Sequence, residues 1–333
     1  MNRILYALLL ILAGILPTLA QTPQRIIVSA PGPRNISYLP VDLIPKISAD
    51  AAEGASLRII HTGGGGVALK NLASRNADFA VVGEPAQMYL KLSGGDVVTI
   101  CAVDDAPLFV LMVRADLKGR VNRIADLRGR SLGVNTSTQS AKTTSQQLLE
   151  VVLRSDGVSP REVSIVSAGQ SWEDQSSVLK SKVVDAIMGD EPYATRLART
   201  KQVFFLVNLG EASTAERIPG GHFLHGALAT RSDMIARAPQ TVEKIVRMLR
   251  RSLQCIASHK PEEVVATLGV SDSAERDTFI KALKMYPRSF SPDGRFSTRQ
   301  LTETDHFFQA ATPEAKGFSV ESMVNDHWAG RKE

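Results

Sequence analysis

The sequence predicts a mixed α/β protein made of two similar units, and three observations support this. Short apolar runs alternate with helical patterns, which is typical of a mainly parallel sheet with helices on both faces. The alternation starts a second time near Arg114, and the pattern becomes almost entirely helical after Pro239. A chain of 333 residues also suits two domains of ordinary size.

The N-terminus has the three-part pattern of a secretory signal. Arg3 precedes an apolar run over 4–16, and small residues up to Ala20 precede Gln21. This pattern predicts a signal peptide over 1–20 and a periplasmic protein of a Gram-negative cell. The apolar run is short for a membrane-spanning helix, so an uncleaved anchor is the weaker alternative.

Composition argues against several classes of function. The net charge of +5 is spread along the chain, so we expect no nucleic-acid partner. Six histidines show no metal-ligand spacing, and no nucleophile motif of the G-x-S-x-G type occurs. We therefore expect no metal, no cofactor and no enzymatic activity. We also expect the protein to be a monomer. Cys101 and Cys255 lie in apolar runs, and the sequence leaves open whether they pair.

The first unit is predicted from alternating strand and helix patterns. Apolar and β-branched runs indicate strands, and apolar residues at helical spacing indicate helices. The predicted strands are 25–30, 57–61, 79–83, 97–103 and 108–114, and the predicted helices are 40–50, 67–75 and 86–93.

The second unit repeats this order and is followed by a helical tail. Its predicted strands are 131–134, 163–168, 184–189 and 202–209, its predicted helices are 141–157 and 172–182 with another from Pro192, and a later strand covers 226–235. Helices are predicted over 239–259, 261–269, 275–286 and around 301–308.

Two strand patterns that end in a charged step, "LFVLMVRAD" and "GALATRSD", resemble each other. Each is interpreted as a crossover between the units. The predicted lobe I is then discontinuous, with residues 21–113 plus 227–333, and lobe II is the insert 114–226. The predicted fold is two α/β lobes joined by a two-strand hinge.

A run of four glycines between the second strand and the next helix is the first candidate binding site. The stretch "HTGGGGVALKNLASRNADFAVVGE" has the order of a dinucleotide fingerprint. An exported chain is a poor candidate for a dinucleotide cofactor, and no Gly-Lys-Ser/Thr follows to make a Walker A loop. Glycines let a ligand approach backbone N–H groups at a positive helix start. We therefore predict anion contacts at Gly64, Gly65 and Gly66, with a tight turn as the alternative.

Polar loops of the second unit provide further candidate ligand contacts. The loop "NTSTQS" precedes a predicted helix, so Thr138, Gln139 and Ser140 are candidates, with N-capping as the alternative. In "GDEPY", Asp190 and Glu191 either hold an amine or hydroxyl of the ligand or stabilise a helix start.

Three more residues complete the predicted site. Trp172 in "GQSWED" is predicted to cover the ligand, and a core position is the alternative. Glu84 ends the segment after the glycines, and Asn35 follows the first strand. Because the two predicted helix starts carry no acid, the preferred ligand is a small anionic organic solute.

Several stretches, in order, resemble periplasmic solute-binding proteins of ABC importers of the nitrate/sulfonate/taurine type. They are "SYLPVDL", "GGGGVALKNLASRNADFAVVGE", "IADLRGRSLGV", "SKVVDAIMGDEPY" and "SPDGRF". Lys182 and Asn76 replace glycines that are usual in that family. The resemblance implies a type II periplasmic-binding-protein fold, a ligand in the interlobe cleft, and permease and ATPase partners. Ser37, in the first of these stretches, is a further predicted ligand contact.

Alternative functions were weighed against this resemblance. The binding protein of a tripartite ion-driven importer would suit the glycine segment. A thiamine-pyrimidine-related binding protein or enzyme of related fold is a second alternative, although the enzyme uses a cysteine-rich iron motif that two isolated cysteines do not supply. A ligand-sensing domain of a transcription regulator is disfavoured by the predicted export.

Overall fold

The computed structural model describes residues 22–333, so the predicted signal peptide lies outside the described residues. Within this range the strands form two five-stranded sheets and one two-stranded ladder. The strands are β1 Gln24–Pro31, β2 Ala55–Thr62, β3 Phe79–Gly83, β4 Val98–Asp104, β5 Phe109–Arg114, β6 Ser131–Val134, β7 Ser164–Ser167, β8 Ala186–Asp190, β9 Val203–Asn208, β10 Gly226–Thr230, β11 Phe296–Ser297 and β12 Arg331–Lys332.

The helices lie on both faces of the sheets, as expected for α/β units. They are α1 Leu39–Leu43, α2 Gly65–Ala73, α3 Glu84–Leu92, α4 Thr144–Ser155, α5 Trp172–Lys180, α6 Tyr193–Arg199, α7 Ala212–Ala215, α8 Ser232–Arg237, α9 Pro239–Ser258, α10 Pro261–Leu268, α11 Ser273–Met285 and α12 Thr298–Ala311. Several differ from the predicted bounds: α4 begins at Thr144 rather than at Ala141, and β10 ends at Thr230, where α8 follows.

The two large sheets are built alike. The first has the order β2-β1-β3-β10-β4, with β1 parallel to β2 and β3, and β10 antiparallel to β3 and β4. The second has the order β7-β6-β8-β5-β9, with β6 parallel to β7 and β8, and β5 antiparallel to β8 and β9. The fourth strand of each sheet is antiparallel to its neighbours: β10 in the first sheet and β5 in the second. Each of these strands directly follows a segment in which the chain crosses from one lobe to the other. The predicted fold class of two α/β lobes is confirmed.

One predicted lobe boundary differs from the sheet pairing. Strand β5 pairs with β8 and β9 of the second sheet, although the boundary after Val113 assigned it to lobe I. The chain therefore crosses to the second lobe over 105–108, and it returns over 209–225 before β10 joins the first sheet. An apolar run with a charged end marks a buried strand but does not reveal which sheet that strand joins.

Helix α12 packs against the cores of both lobes. Phe308 belongs to the apolar core of the first sheet, together with residues of β1 and β3. Phe307 belongs to the core of the second sheet, where its ring stacks on Phe223 with centroids 4.2 Å apart. Both side chains are fully buried. The helix therefore connects the lobes in addition to the two crossing segments.

Two questions left by the sequence are answered within residues 22–333. Cys101 and Cys255 are both free thiols, Cys101 being buried and Cys255 partly exposed. None of the helices in this range combines the length and the apolarity that a membrane crossing requires.

Candidate functional site

Polar side chains from both lobes meet where the parallel strands end. In open α/β sheets, ligands bind outside the carboxyl ends of the strands. Asn35 and Ser37 follow β1, and Gly83 ends β3, all in lobe I. Asn135 follows β6 and Asp190 ends β8, both in lobe II. These strand ends meet at the contact between the lobes, where the Asn35 amide donates to Asp190.

Asp190 is at the centre of this arrangement and is fully buried. Its Oδ2 accepts hydrogen bonds from the Asn35 amide of lobe I and from the Gln170 amide of its own lobe. Its Oδ1 has no hydrogen-bond partner. Loss of solvation raises the pKa of Asp190 to about 6, although the two amide bonds act in the opposite direction.

Asn35 is fixed in orientation by the turn that follows β1. Its Oδ1 accepts a bond of 2.9 Å from the backbone N–H of Ser37, which caps the short 3₁₀ helix over Ile36–Tyr38. Its side-chain N–H is thereby directed at Asp190. The hydroxyl of Ser37 is buried and has no partner.

His225, which directly precedes β10, forms a second buried polar group. Its Nδ1 lies 2.9 Å from Oδ2 of Asp104, and both side chains are fully buried. Its Nε2 has no hydrogen-bond partner. The rings of Phe109 and Tyr38 pack on either side of the imidazole, with centroids at 4.9 Å and 6.0 Å.

Gly83 brings the hydroxyl of Thr144 close to His225. A Cβ at Gly83 would lie 2.0 Å from Thr144 Oγ1 and 3.5 Å from a ring carbon of His225. Thr144 is the first residue of α4, and its hydroxyl is buried without a partner. Only glycine at the end of β3 therefore allows these two side chains to approach.

Six side chains at this interface share one property: each is buried and has a polar atom without a partner. We call them the interlobe polar cluster. They are Ser37 and His225 of lobe I and Asn135, Thr144, Gln170 and Asp190 of lobe II. Buried polar groups are normally hydrogen-bonded. Polar atoms without partners that come from both lobes are candidate contacts for a molecule, or for ordered water, between the lobes.

The glycine run contacts the opposite lobe. The Thr136 N–H donates to the Gly63 carbonyl oxygen at 3.1 Å. A Cβ at Gly64 would lie 2.6 Å from the backbone of Thr136, and one at Gly66 would lie 2.6 Å from the Ala141 carbonyl oxygen. The sequence predicts that a ligand contacts Gly64 and Gly66, but in the structure the backbone of lobe II occupies these positions.

Gly65 lies in a different environment from its two neighbours. A Cβ on Gly65 would be 3.6 Å from Val82 of the same lobe, which is an ordinary contact. Its predicted role in ligand contact stays a prediction.

The loop before α4 differs from its predicted role. Because α4 begins at Thr144 and is capped by Thr143, the predicted residues Thr138, Gln139 and Ser140 precede the helix start by several positions. The Thr138 hydroxyl accepts from the Ala141 N–H at 3.1 Å, and Gln139 and Ser140 are exposed.

Glu84 and Glu191 are buried carboxylates that have neutral partners within their own lobes. The Thr99 hydroxyl lies within hydrogen-bond distance of both oxygens of Glu84, and burial raises the pKa of Glu84 to about 8. The backbone N–H and the hydroxyl of Thr195 donate to Glu191, whose pKa is also raised by burial. Their carboxylates are satisfied without a ligand.

Trp172 lies at the start of α5 and is partly exposed. The Arg196 guanidinium stacks over its ring at 4.2 Å, a cation–π contact. Arg196 also lies 3.7 Å from Asp272 of lobe I. Trp172 thus belongs to a charged contact at the rim of the lobes.

Comparison with known proteins identifies the family. Residues 51–264 match the model of the family described as NMT1/THI5 like. The chain belongs to the NMT1/THI5 like family. No curated protein matches the sequence.

The fold of this NMT1/THI5 like protein is found in several solved structures. A protein of Bordetella bronchiseptica RB50 has a TM-score of 0.83 at 19% identity, over 93% of this chain and 96% of that one. The alkanesulfonate-binding protein SsuA from Xanthomonas axonopodis pv. citri, bound to MOPS, has a TM-score of 0.71 at 15% identity, over 91% and 99%. The desulfurization enzyme DSZB has a TM-score of 0.60 at 16% identity, over 92% and 97%. The resemblance to sulfonate-type binding proteins is confirmed for family and fold.

Sequence reasoning missed four members of the interlobe polar cluster in this NMT1/THI5 like chain. Asn135, Thr144, Gln170 and His225 were not predicted as ligand contacts. Asn135, Gln170 and His225 lie directly beside a strand or a few residues after one, which is a usable signal for ligand contact. Thr144 could not be found in this way, because its position depends on where α4 begins.

The groups of this site can bind a molecule by hydrogen bonds and charge. Residues 22–333 contain no group of three or more potential metal ligands. Asp104 and His225 resemble the base of a catalytic triad, but the nearby Thr144 hydroxyl makes no hydrogen bond to the imidazole. The Thr144 hydroxyl is therefore not hydrogen-bonded to the His225 imidazole, the contact by which a base activates a nucleophile.

Proposed function

We propose that the protein is the extracytoplasmic solute-binding component of an ABC importer. It captures a small organic solute between its lobes and delivers it to a membrane permease. The observation that carries this proposal is the interlobe polar cluster, because its unsatisfied atoms come from both lobes. The fold that the chain shares with an alkanesulfonate-binding protein supports the same role.

Binding between two lobes also provides the signal for delivery. A ligand that contacts both lobes favours the closed arrangement by the free energy of its extra contacts. A permease that recognises the closed form then discriminates loaded from empty protein. The Thr136–Gly63 and Asn35–Asp190 contacts are the bonds that closure forms.

A binding role is preferred to catalysis, although one protein of similar fold is titled an enzyme. A shared fold does not determine activity. The deciding feature is that the cluster's hydroxyl groups have no activating base in hydrogen-bond contact. We therefore propose that the solute leaves the protein unchanged.

Reconstitution tests this function. The mature protein, loaded with the solute that co-purifies from periplasm, is added to proteoliposomes that contain the co-encoded permease and ATPase. We expect loaded protein to stimulate ATP hydrolysis more than empty protein does. Equal rates with and without the protein would contradict the proposal. Uptake that depends on an ion gradient instead of ATP would indicate the tripartite importer.

Export is tested separately by intact-mass measurement. We expect the periplasmic protein to begin at Gln21, because the small residues before it form the predicted cleavage site. A membrane-bound protein that retains Met1 would contradict the predicted signal peptide.

A further inference from the structure

We propose that the interlobe polar cluster selects a solute with a positively charged nitrogen that carries several N–H donors, and that Asp190 is its counter-ion. This inference rests on the proposed solute-binding function and names the ligand class of the same site. It differs from the anionic ligand that the sequence predicts.

The first argument is the charge of Asp190. Its carboxylate is fully buried, and its two donors, the Asn35 and Gln170 amides, are neutral. No Lys or Arg of residues 22–333 forms a salt bridge with it. A buried charge without a charged partner is costly, and an opposite charge on a ligand would offset that cost. A ligand cation supplies that charge.

The second argument is the chemistry of the other unsatisfied atoms. Gln170 donates its N–H to Asp190, so its free Oε1 is an acceptor. His225 directs Nδ1 at Asp104, which leaves Nε2 free to face a ligand. Asn135 contributes a further carbonyl oxygen. The free oxygens of Gln170, Asn135 and Asp190 are acceptors that N–H donors of a ligand would satisfy, and the Ser37 and Thr144 hydroxyls can accept as well.

The third argument concerns the groups that an anion would need. The sequence placed the anion at the glycine run, but the backbone of Thr136 and Ala141 packs there. Arg34 pairs with Glu275 at 2.9 Å, and Arg196 pairs with Asp272 and covers Trp172. These cations at the rim are already engaged by acids of lobe I.

A pair of matched probe sets tests the ligand class. Benzamidine, propylamine and agmatine form the cationic set, and benzenesulfonate, propanesulfonate and glutarate form the anionic set. Binding of each to the mature protein is measured by calorimetry. We expect heats only from members of the cationic set. Binding of an anionic probe, or of no cationic probe, would overturn the inference.

Variants link the binding to Asp190. Asp190→Asn keeps an acceptor for the Asn35 and Gln170 amides, and Asp190→Ser is the second variant in case the first folds poorly. Both should weaken the best cationic probe by roughly thirtyfold or more. Asp293→Asn, which removes the same charge from a partly exposed site, should leave the affinity unchanged. Equal affinity in wild type and Asp190→Asn would overturn the role of Asp190.

The outcome separates this inference from the proposed function. If anionic probes bind and the loaded protein stimulates the importer, only the ligand class is wrong. If cationic probes bind in a manner that depends on Asp190 but the importer does not respond, the ligand class stands and the transport role fails.

Discussion

A single carboxylate illustrates how binding and stability oppose each other at the residue scale. Asp190 is fully buried at the contact between the lobes, where the Asn35 amide donates to it. Its two amide bonds do not neutralise its charge, so the ligand-free protein retains an unpaired ion. Residues that await a ligand in this way reduce the stability of the free protein.

The first prediction is that Asp190→Asn stabilises the ligand-free protein above pH 6. The pKa of Asp190 is raised to about 6 in the folded state, whereas it is about 4 in the unfolded chain. The folded protein therefore binds more protons than the unfolded chain between about pH 4 and pH 6. Its carboxylate therefore destabilises the fold progressively from about pH 4 to pH 6 and fully above that. The variant should exceed wild type by up to about 3 kcal/mol at pH 7.5.

Denaturant unfolding of both proteins from pH 4 to pH 8 measures this difference. The difference between the two stabilities should shrink as the pH falls from 6 to 4, because the folded-state carboxyl becomes protonated over this range. A variant that is less stable than wild type at every pH would contradict the account, since it would make Asp190 a structural residue.

At the scale of an element, helix α2 shows that neighbouring residues of one type can have different surroundings. Three successive glycines at its start differ in what surrounds them, as Gly64 and Gly66 face the opposite lobe and Gly65 faces Val82. Identical residues in a sequence therefore need not occupy the same structural environment.

The second prediction compares Gly66→Ala with Gly65→Ala. The first places a Cβ 2.6 Å from the Ala141 carbonyl oxygen, so it should prevent full closure and weaken ligand binding by roughly tenfold or more. The second contacts Val82 at 3.6 Å and should change affinity little and stability by less than about 1 kcal/mol. Calorimetry with the best-binding probe measures both.

A circular dichroism melt of each variant shows whether the fold is kept. Equal loss of binding in the two alanine variants would contradict the assignment of Gly66, and not Gly65, to the lobe contact.

These elements also show how far the sequence could predict the structure. Periodicity identified β1, β3 and β8, because buried strands have a strong apolar signal. It predicted the start of α4 at Ala141, three residues before Thr144, because several Ser and Thr residues in this loop are equally suitable caps and packing selects Thr143. The sequence selected Asn35 and Asp190, which the structure brings together by a hydrogen bond between the lobes, and their role in ligand binding stays a prediction. The partner of the glycine run depends on packing between the lobes, which no local pattern encodes.

The whole molecule depends on contacts between lobes that are distant in sequence. The Gly63 carbonyl oxygen accepts from Thr136 N–H, and the Pro85 carbonyl oxygen accepts from the Gln147 amide. Both bonds join lobe I to lobe II, so separation of the lobes must break them.

The third prediction is that a disulfide can lock the closed arrangement. A Cβ at position 63 would lie 3.9 Å from the Cβ of Thr136, a separation typical of disulfides. Gly63→Cys with Thr136→Cys, in a Cys255→Ser background, should therefore form a bond under mild oxidation. The oxidised protein should bind and release the best-binding probe at least about tenfold more slowly, and reduction should restore the rates.

Thiol titration and stopped-flow binding provide the measurements, with each single cysteine variant as a control. Failure of the double variant to oxidise, while both single variants react with a thiol reagent, would show that the lobes do not meet as described.

Phe307 and Phe308 are adjacent in sequence and enter different cores, and this limits how the gene can be divided. A fragment of residues 105–225 would contain the whole second sheet but would expose Phe223 where Phe307 normally stacks. The remainder, rejoined across the gap, would carry an uncovered Phe307. A lobe taken from a related protein can therefore replace either lobe only if its core accepts the aromatic side chain that α12 places there.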